Sequence, residues 1–189
     1  MMERMDSAGQ SLHNRADALR QDLGTEYQAI VKVVSDFDGR LMIVKGWSVT
    51  LSLTSLGLGF YQGHYALFAL AAGSALAFWF IDGDMKRHQM RYYARMRDIE
   101  VAAFNLNHLD LGGQIVSSPL IDWSWNRKGR TDLRSEPPAR LTAPEVQSLL
   151  RKAPWMGHVL LPHALAVVLG LALFLGAVIE VDGLQSLVP

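Results

Sequence analysis

The chain contains no cysteine, which excludes disulfides and thiolate metal sites and assigns no compartment. No proline precedes its first apolar run, so nothing in that stretch forces a helix to end. Phosphate-binding glycine loops, nucleophile elbows and zinc-binding His/Glu spacings are all missing, as are internal repeats and low-complexity tracts. The sequence therefore points to no catalytic residue, no cofactor and no metal.

The most informative lack is local. Asp, Glu, Lys and Arg are absent from 36 consecutive residues between Gly46 and Ile81 and from 27 between Ala153 and Ile179. A helix needs about 20 apolar residues to cross roughly 30 Å of hydrocarbon, so the first run holds two spans and the second holds one. Tyr61-Gln62-Gly63-His64-Tyr65 divides the first run with polar groups, a turn-permitting glycine and interfacial aromatics. Spans are expected near 43–61, 64–81 and 156–179. The first begins too late, behind too much mixed charge, to be a secretory leader.

All 18 Lys and Arg lie before the first span or between Lys86 and Lys152. The positive-inside rule then places the N-terminus and the long connection in the cytoplasm, and the hairpin tip and the tail 180–189 outside. The expected class is an all-α integral membrane protein with three transmembrane helices and a long cytoplasmic helical hairpin.

Residues 1–42 carry an apolar stripe, Leu12, Ala16, Leu19, Leu23, Tyr27, Ile30, Val34, Phe37 and Leu41, at helical spacing. Gly24 and Gly39 weaken it by about 1 kcal/mol each and allow a kink. Residues 82–110 repeat the pattern with Met85, Tyr92, Met96, Ile99, Ala103 and Leu106 on one face, and Arg91, Arg95, Arg97 and Asp98 elsewhere. The two stripes are expected to bury one another, with Leu19 and Ile30 in an association seam. Within 111–155, the part 112–140 loses periodicity and reads as a loop. Thr142 and Glu145 then have capping-box spacing ahead of a short helix to Lys152.

Within the first span, Ser48, Ser52, Ser55 and Gly59 share a face; it either packs against another helix or lines a water-filled path. Ala69, Gly73 and Ala77 form a small-residue row suited to helix association, as Ala172 and Gly176 do on the third span. Asp82 and Asp84 read as a solvated helix-end cluster or a paired-carboxylate site. His158 and His163, flanking Pro162, read as interfacial residues or as a proton-sensitive pair. Trp123, Trp125, Arg127, Lys128 and Arg130 suit lipid headgroups or a partner better than nucleic acid.

The stretch Lys45-Gly46-Trp47-Ser48-Val49-Thr50-Leu51, a tight turn, and Phe78-Trp79-Phe80-Ile81-Asp82 running into a helix with Tyr92, Tyr93 and Arg95 resembles the SLATT-type two-transmembrane proteins over about residues 12–109. That resemblance implies a homo-oligomeric effector of anti-phage defence that permeabilises the membrane on a nucleotide or protein signal, without catalytic residues. The third span and the Trp/Arg loop depart from the two-span pattern. The alternative is a non-catalytic anchor that recruits a soluble cytoplasmic partner.

Overall fold

The computed structural model describes the backbone of residues 2–112, 115–126 and 138–185, and the side chains of 10–112, 116–124 and 138–180. Helix α1 spans Met2–Gln62 and α2 spans Ala66–Asn107. Strands β1 (Leu109–Asp110) and β2 (Ile115–Val116) pair antiparallel, with Leu109 opposite Val116. Helices α3 (Ile121–Asn126) and α4 (Ala143–Lys152) follow, then a 3-10 turn (Ala153–Trp155) and α5 (Gly157–Gln185). Three of the helices are long and apolar enough to cross a membrane.

Helix α1 is unbroken at Gly24 and Gly39, because packing on either side outweighs the propensity cost of two glycines. It ends where the sequence supplies a left-handed residue. Gly63 has φ +67°, a region closed to most side chains. The His64 N–H donates to the Gly59 carbonyl at 3.1 Å, the long bond of a Schellman stop.

The chain divides into two compact units. In the first, Met1–Ser35 with Met90–Gln147, the α1 and α2 stripes meet. Leu23, Tyr27 and Ile30 bury against Met96 and Ile99, flanked by Val31, Val34, Tyr93, Ala102 and Leu106. The seam is shorter than its periodicity suggests. Leu12 and Leu19 are 65% and 48% exposed, and on α2 Tyr92 is exposed while Tyr93 packs. Arg20 donates to the Leu106 carbonyl and α2 ends at Asn107, so α1 residues before Arg20 have little of α2 left to meet.

The expected loop 112–140 contains β2 and α3, and of the expected capping box at α4 the reach-back half is present, with the Thr142 hydroxyl also donating to Glu145 Oε2 at 2.8 Å. Thr142 N–H donates to Glu145 Oε2 at 2.8 Å and Val146 N–H to the Thr142 carbonyl at 3.0 Å.

The second unit comprises Asp36–Gln89 with Ser148–Pro189. Its core combines aliphatic, aromatic and small residues: Leu56, Phe68 and Ala71, with Leu173 and Phe174 packed on them. A Cβ on Gly170 would lie 2.8 Å from the Phe68 carbonyl oxygen and 3.0 Å from the Ala72 nitrogen, so α5 meets the α2 backbone where only glycine fits. The Trp79 indole donates to the Pro154 carbonyl at 2.9 Å and packs edge-on against Trp155. Large apolar side chains such as Leu53, Phe60, Phe80, Leu165 and Ile179 face outward, the distribution a lipid solvent favours and water opposes.

Candidate functional site

Four polar side chains from three helices converge inside the second unit. Ser48 on α1 and Asp82 on α2 are 1% and 0% exposed, and His163 on α5 is 0% exposed. Lys45, three residues before Ser48 on α1, is 16% exposed at its side chain. Ser48 Oγ lies 2.9 Å from His163 Nδ1, and His163 Nε2 lies 3.2 Å from Asp82 Oδ2. Lys45 Nζ sits 3.1 Å from Asp82 Oδ2 and 3.3 Å from Oδ1.

Partner chemistry assigns the protons. The Lys45 ammonium offsets the Asp82 carboxylate, Nε2–H donates to Asp82, and Nδ1 accepts the Ser48 hydroxyl. Every group is then satisfied with no net charge, the condition for holding ionisable groups in apolar surroundings.

The residue types match a serine hydrolase triad, but the arrangement does not. In that mechanism the hydroxyl bonds Nε2 and the carboxylate Nδ1, the reverse of what is found here. Ser48 also lies inside α1, whose N–H groups are engaged along the helix, leaving no backbone donors for an oxyanion. The cluster joins α1, α2 and α5 through polar bonds.

The serine face continues from it. Ser52 is buried and its Oγ has no hydrogen-bond partner among the described residues; Ser55 is buried one turn further. Gly59 completes the face, where a Cβ would come within 2.5 Å of the Phe68 ring. This face is turned into the chain's own bundle. The row Ala69, Gly73 and Ala77 is turned mostly away: Ala69 is half-buried and the other two are exposed, while Ala71, Ala72 and Ala75 make the buried contact. Gly176 meets nothing within 4 Å. Asp82 is not a solvated helix-end charge, whereas Asp84 is, lying 3.5 Å from His88 with both side chains half exposed. His163 is an internal link, and His158 is exposed.

The first unit contains its own buried network. Glu100 accepts from the Tyr27 hydroxyl at 2.6 Å and from the N–H groups of Asp122 and Trp123 at 2.7 and 2.9 Å, so a carboxylate on α2 satisfies the free N-terminus of α3. Arg97 donates to Asp122 at 2.6 Å and lies 4.8 Å from the centre of the Trp123 ring. Burial pushes the Glu100 carboxyl above its ordinary range despite these donors. Burial and the adjoining Glu100 carboxylate push the Tyr27 hydroxyl up as well.

Trp123 is thus half-buried beneath Arg97. The Trp125 side chain and Arg127, Lys128 and Arg130 lie outside the described residues. Ile30 is in the core and Leu19 on the surface. Arg97, which periodicity places off the stripe, is buried, and neither Glu100 nor Asp122 stands out in the sequence. Among the described residues no group of three or more metal-ligating side chains occurs. No protein-family model, characterised protein or solved structure matches the chain.

Proposed function

We propose that this chain is a homo-oligomeric effector of a bacterial inner membrane that forms or gates a pore, in anti-phage defence as the SLATT-like layout implies. Its three apolar helices cross the bilayer, with the N-terminus cytoplasmic and the C-terminus periplasmic, because all 18 Lys and Arg fall on one side of that arrangement. The observation that carries the reading is the Lys45–Asp82–His163–Ser48 cluster. Ionisable residues within membrane helices are costly and mark ion or proton pathways, and an anchor needs none. The hydroxyls of Ser48, Ser52 and Ser55 extend the polar row along α1, and the buried apolar cluster of Leu56, Phe68 and Ala71 beyond it has the residue types of an apolar constriction that gates a pore.

Depolarisation of cells producing the chain together with its genomic partners tests this reading. The native chain depolarises them, and Asp82→Asn, nearly isosteric but without the charge, cuts the effect about tenfold at matched membrane level and oligomer size. No depolarisation by the native chain under inducing conditions leaves the second reading, a membrane anchor for a soluble partner. That reading draws on the Glu100 network, which gives the first unit an ordered polar body of its own.

A further inference from the structure

The polar cluster and the serine face of the second unit belong to one row that follows several turns of α1. Under the proposed topology it starts at the cytoplasmic end with Asp38, whose side chain is 60% exposed. Gln89 Nε2 donates to Asp38 Oδ1 at 2.7 Å, and the buried Lys86 donates to Gln89 Oε1. One turn back along α2 from Lys86 come Asp82 and its partner Lys45, then His163 and Ser48. Ser52 and Ser55, both buried, carry the row outward as far as the Phe68 ring, which lies against Gly59.

Ser48, His163 and Asp82 are at most 1% exposed and touch one another directly, at 2.9 and 3.2 Å. Groups already in hydrogen-bond contact leave no room between them for a metal ion, hydrated or bare. A proton needs none, because it passes along the hydrogen bonds themselves. His163 suits that task, accepting at Nδ1 from Ser48 and donating from Nε2 to Asp82. The charged and titratable groups around its ring are Lys45 on α1 and Asp82 on α2, with Asp38 and Lys86 beyond them and the exposed His158 on α5 itself. Ser52, one turn outward from Ser48, has a buried hydroxyl with no hydrogen-bond partner among the described residues, which is a place for a water that feeds Ser48. We propose that the species crossing the membrane through this row is the proton, with His163 as its relay, an inference that rests on the pore reading. Ser48 hands its hydroxyl proton to Nδ1 and takes one from a water at Ser52. Nε2 gives its own proton to the Asp82 carboxylate, and Asp82 releases it to cytoplasmic water beside Lys45. One proton enters the ring and one leaves, and the ring, left protonated at Nδ1, turns in the open assembly to restore the starting tautomer.

Patch-clamp of giant spheroplasts from cells producing the chain with its genomic partners, under inducing conditions, reads the permeant ion. The expected current reverses at a voltage that follows the proton gradient and is unmoved when K⁺ and Na⁺ are replaced by a large organic cation. His163→Gln, which can hydrogen-bond but does not titrate near neutral pH, lowers that current about tenfold or more at matched membrane level. Should His163→Gln fail to reach the membrane, Ser48→Ala, which removes the hydroxyl and keeps a good helix former, gives the same loss. A current that follows the K⁺ or Na⁺ gradient overturns the proton assignment and leaves the pore reading standing, as does a proton current of native size in the folded variants. No current from the native chain overturns both.

Discussion

At Glu100 one carboxylate receives three donors, and burial still pushes it above the ordinary carboxyl range. A raised folded value means that Glu100 contributes stability in full below the ordinary value of 4.5 and loses it as pH rises through the raised value. The difference in thermal midpoint between the native chain and Glu100→Gln is therefore largest in acid and shrinks toward neutral pH. Glu100→Ala removes an acceptor from the Tyr27 hydroxyl and from two α3 amides, at a cost of about 3 kcal/mol. Hydrogen exchange at Asp122 and Trp123 reads that loss directly. Little of this network is legible in the sequence. Asp122 is 25 residues beyond Arg97, in a stretch without periodicity, and periodicity cannot distinguish a paired buried arginine from a solvated one. The second-unit cluster was hidden for a related reason. Asp82 and His163 stand out individually, but 81 residues separate them, and only the packing of α5 brings them together.

The helices were more readable than their contacts. The charge-free runs, the turn at Gly63 and the Thr142–Glu145 cap all follow from local chemistry and coincide with observed elements. Contact faces on the apolar segments did not, since in α2 nearly every side is apolar or small and Ala71 competes with Ala69 on equal terms. Two glycines of α5 separate the cases. Gly170→Ala forces its methyl toward the α2 backbone and costs about 1–3 kcal/mol, whereas Gly176→Ala enters open space and leaves the midpoint in detergent unchanged or slightly raised. Equal midpoints for the two variants would show that α5 does not pack on Phe68 and Ala72. At the other end of the chain, Leu12 and Leu19 continue a stripe whose next members are buried. Under the proposed assembly, changing both to Asp lowers the oligomer size in mild detergent while the midpoint, set by Leu23, Tyr27 and Ile30, is kept. An unchanged size places the assembly contact elsewhere.

For the molecule as a whole, the testable quantity is which side each connection occupies. The confinement of Lys and Arg predicts that reporters active only outside the cytoplasm work when fused at Gly63 or after Pro189 and fail near Gly129. Activity at Gly129 would remove the membrane topology, and the pore proposal with it. Depolarisation by a chain with that topology would then separate the effector from the anchor.

The position of His163 also has a consequence in time. Lys45 and Asp82 lie on consecutive helices joined by the short turn at Gly63, so a growing chain delivers them together, each neutralising the other as the hairpin leaves the ribosome. His163 emerges later, on a helix with no Asp, Glu, Lys or Arg between Ala153 and Ile179, and under the proposed topology that helix enters the bilayer without waiting for a partner. Its two ring nitrogens then find a hydroxyl and a carboxylate already in place, which makes α5 the element whose arrival completes the bundle.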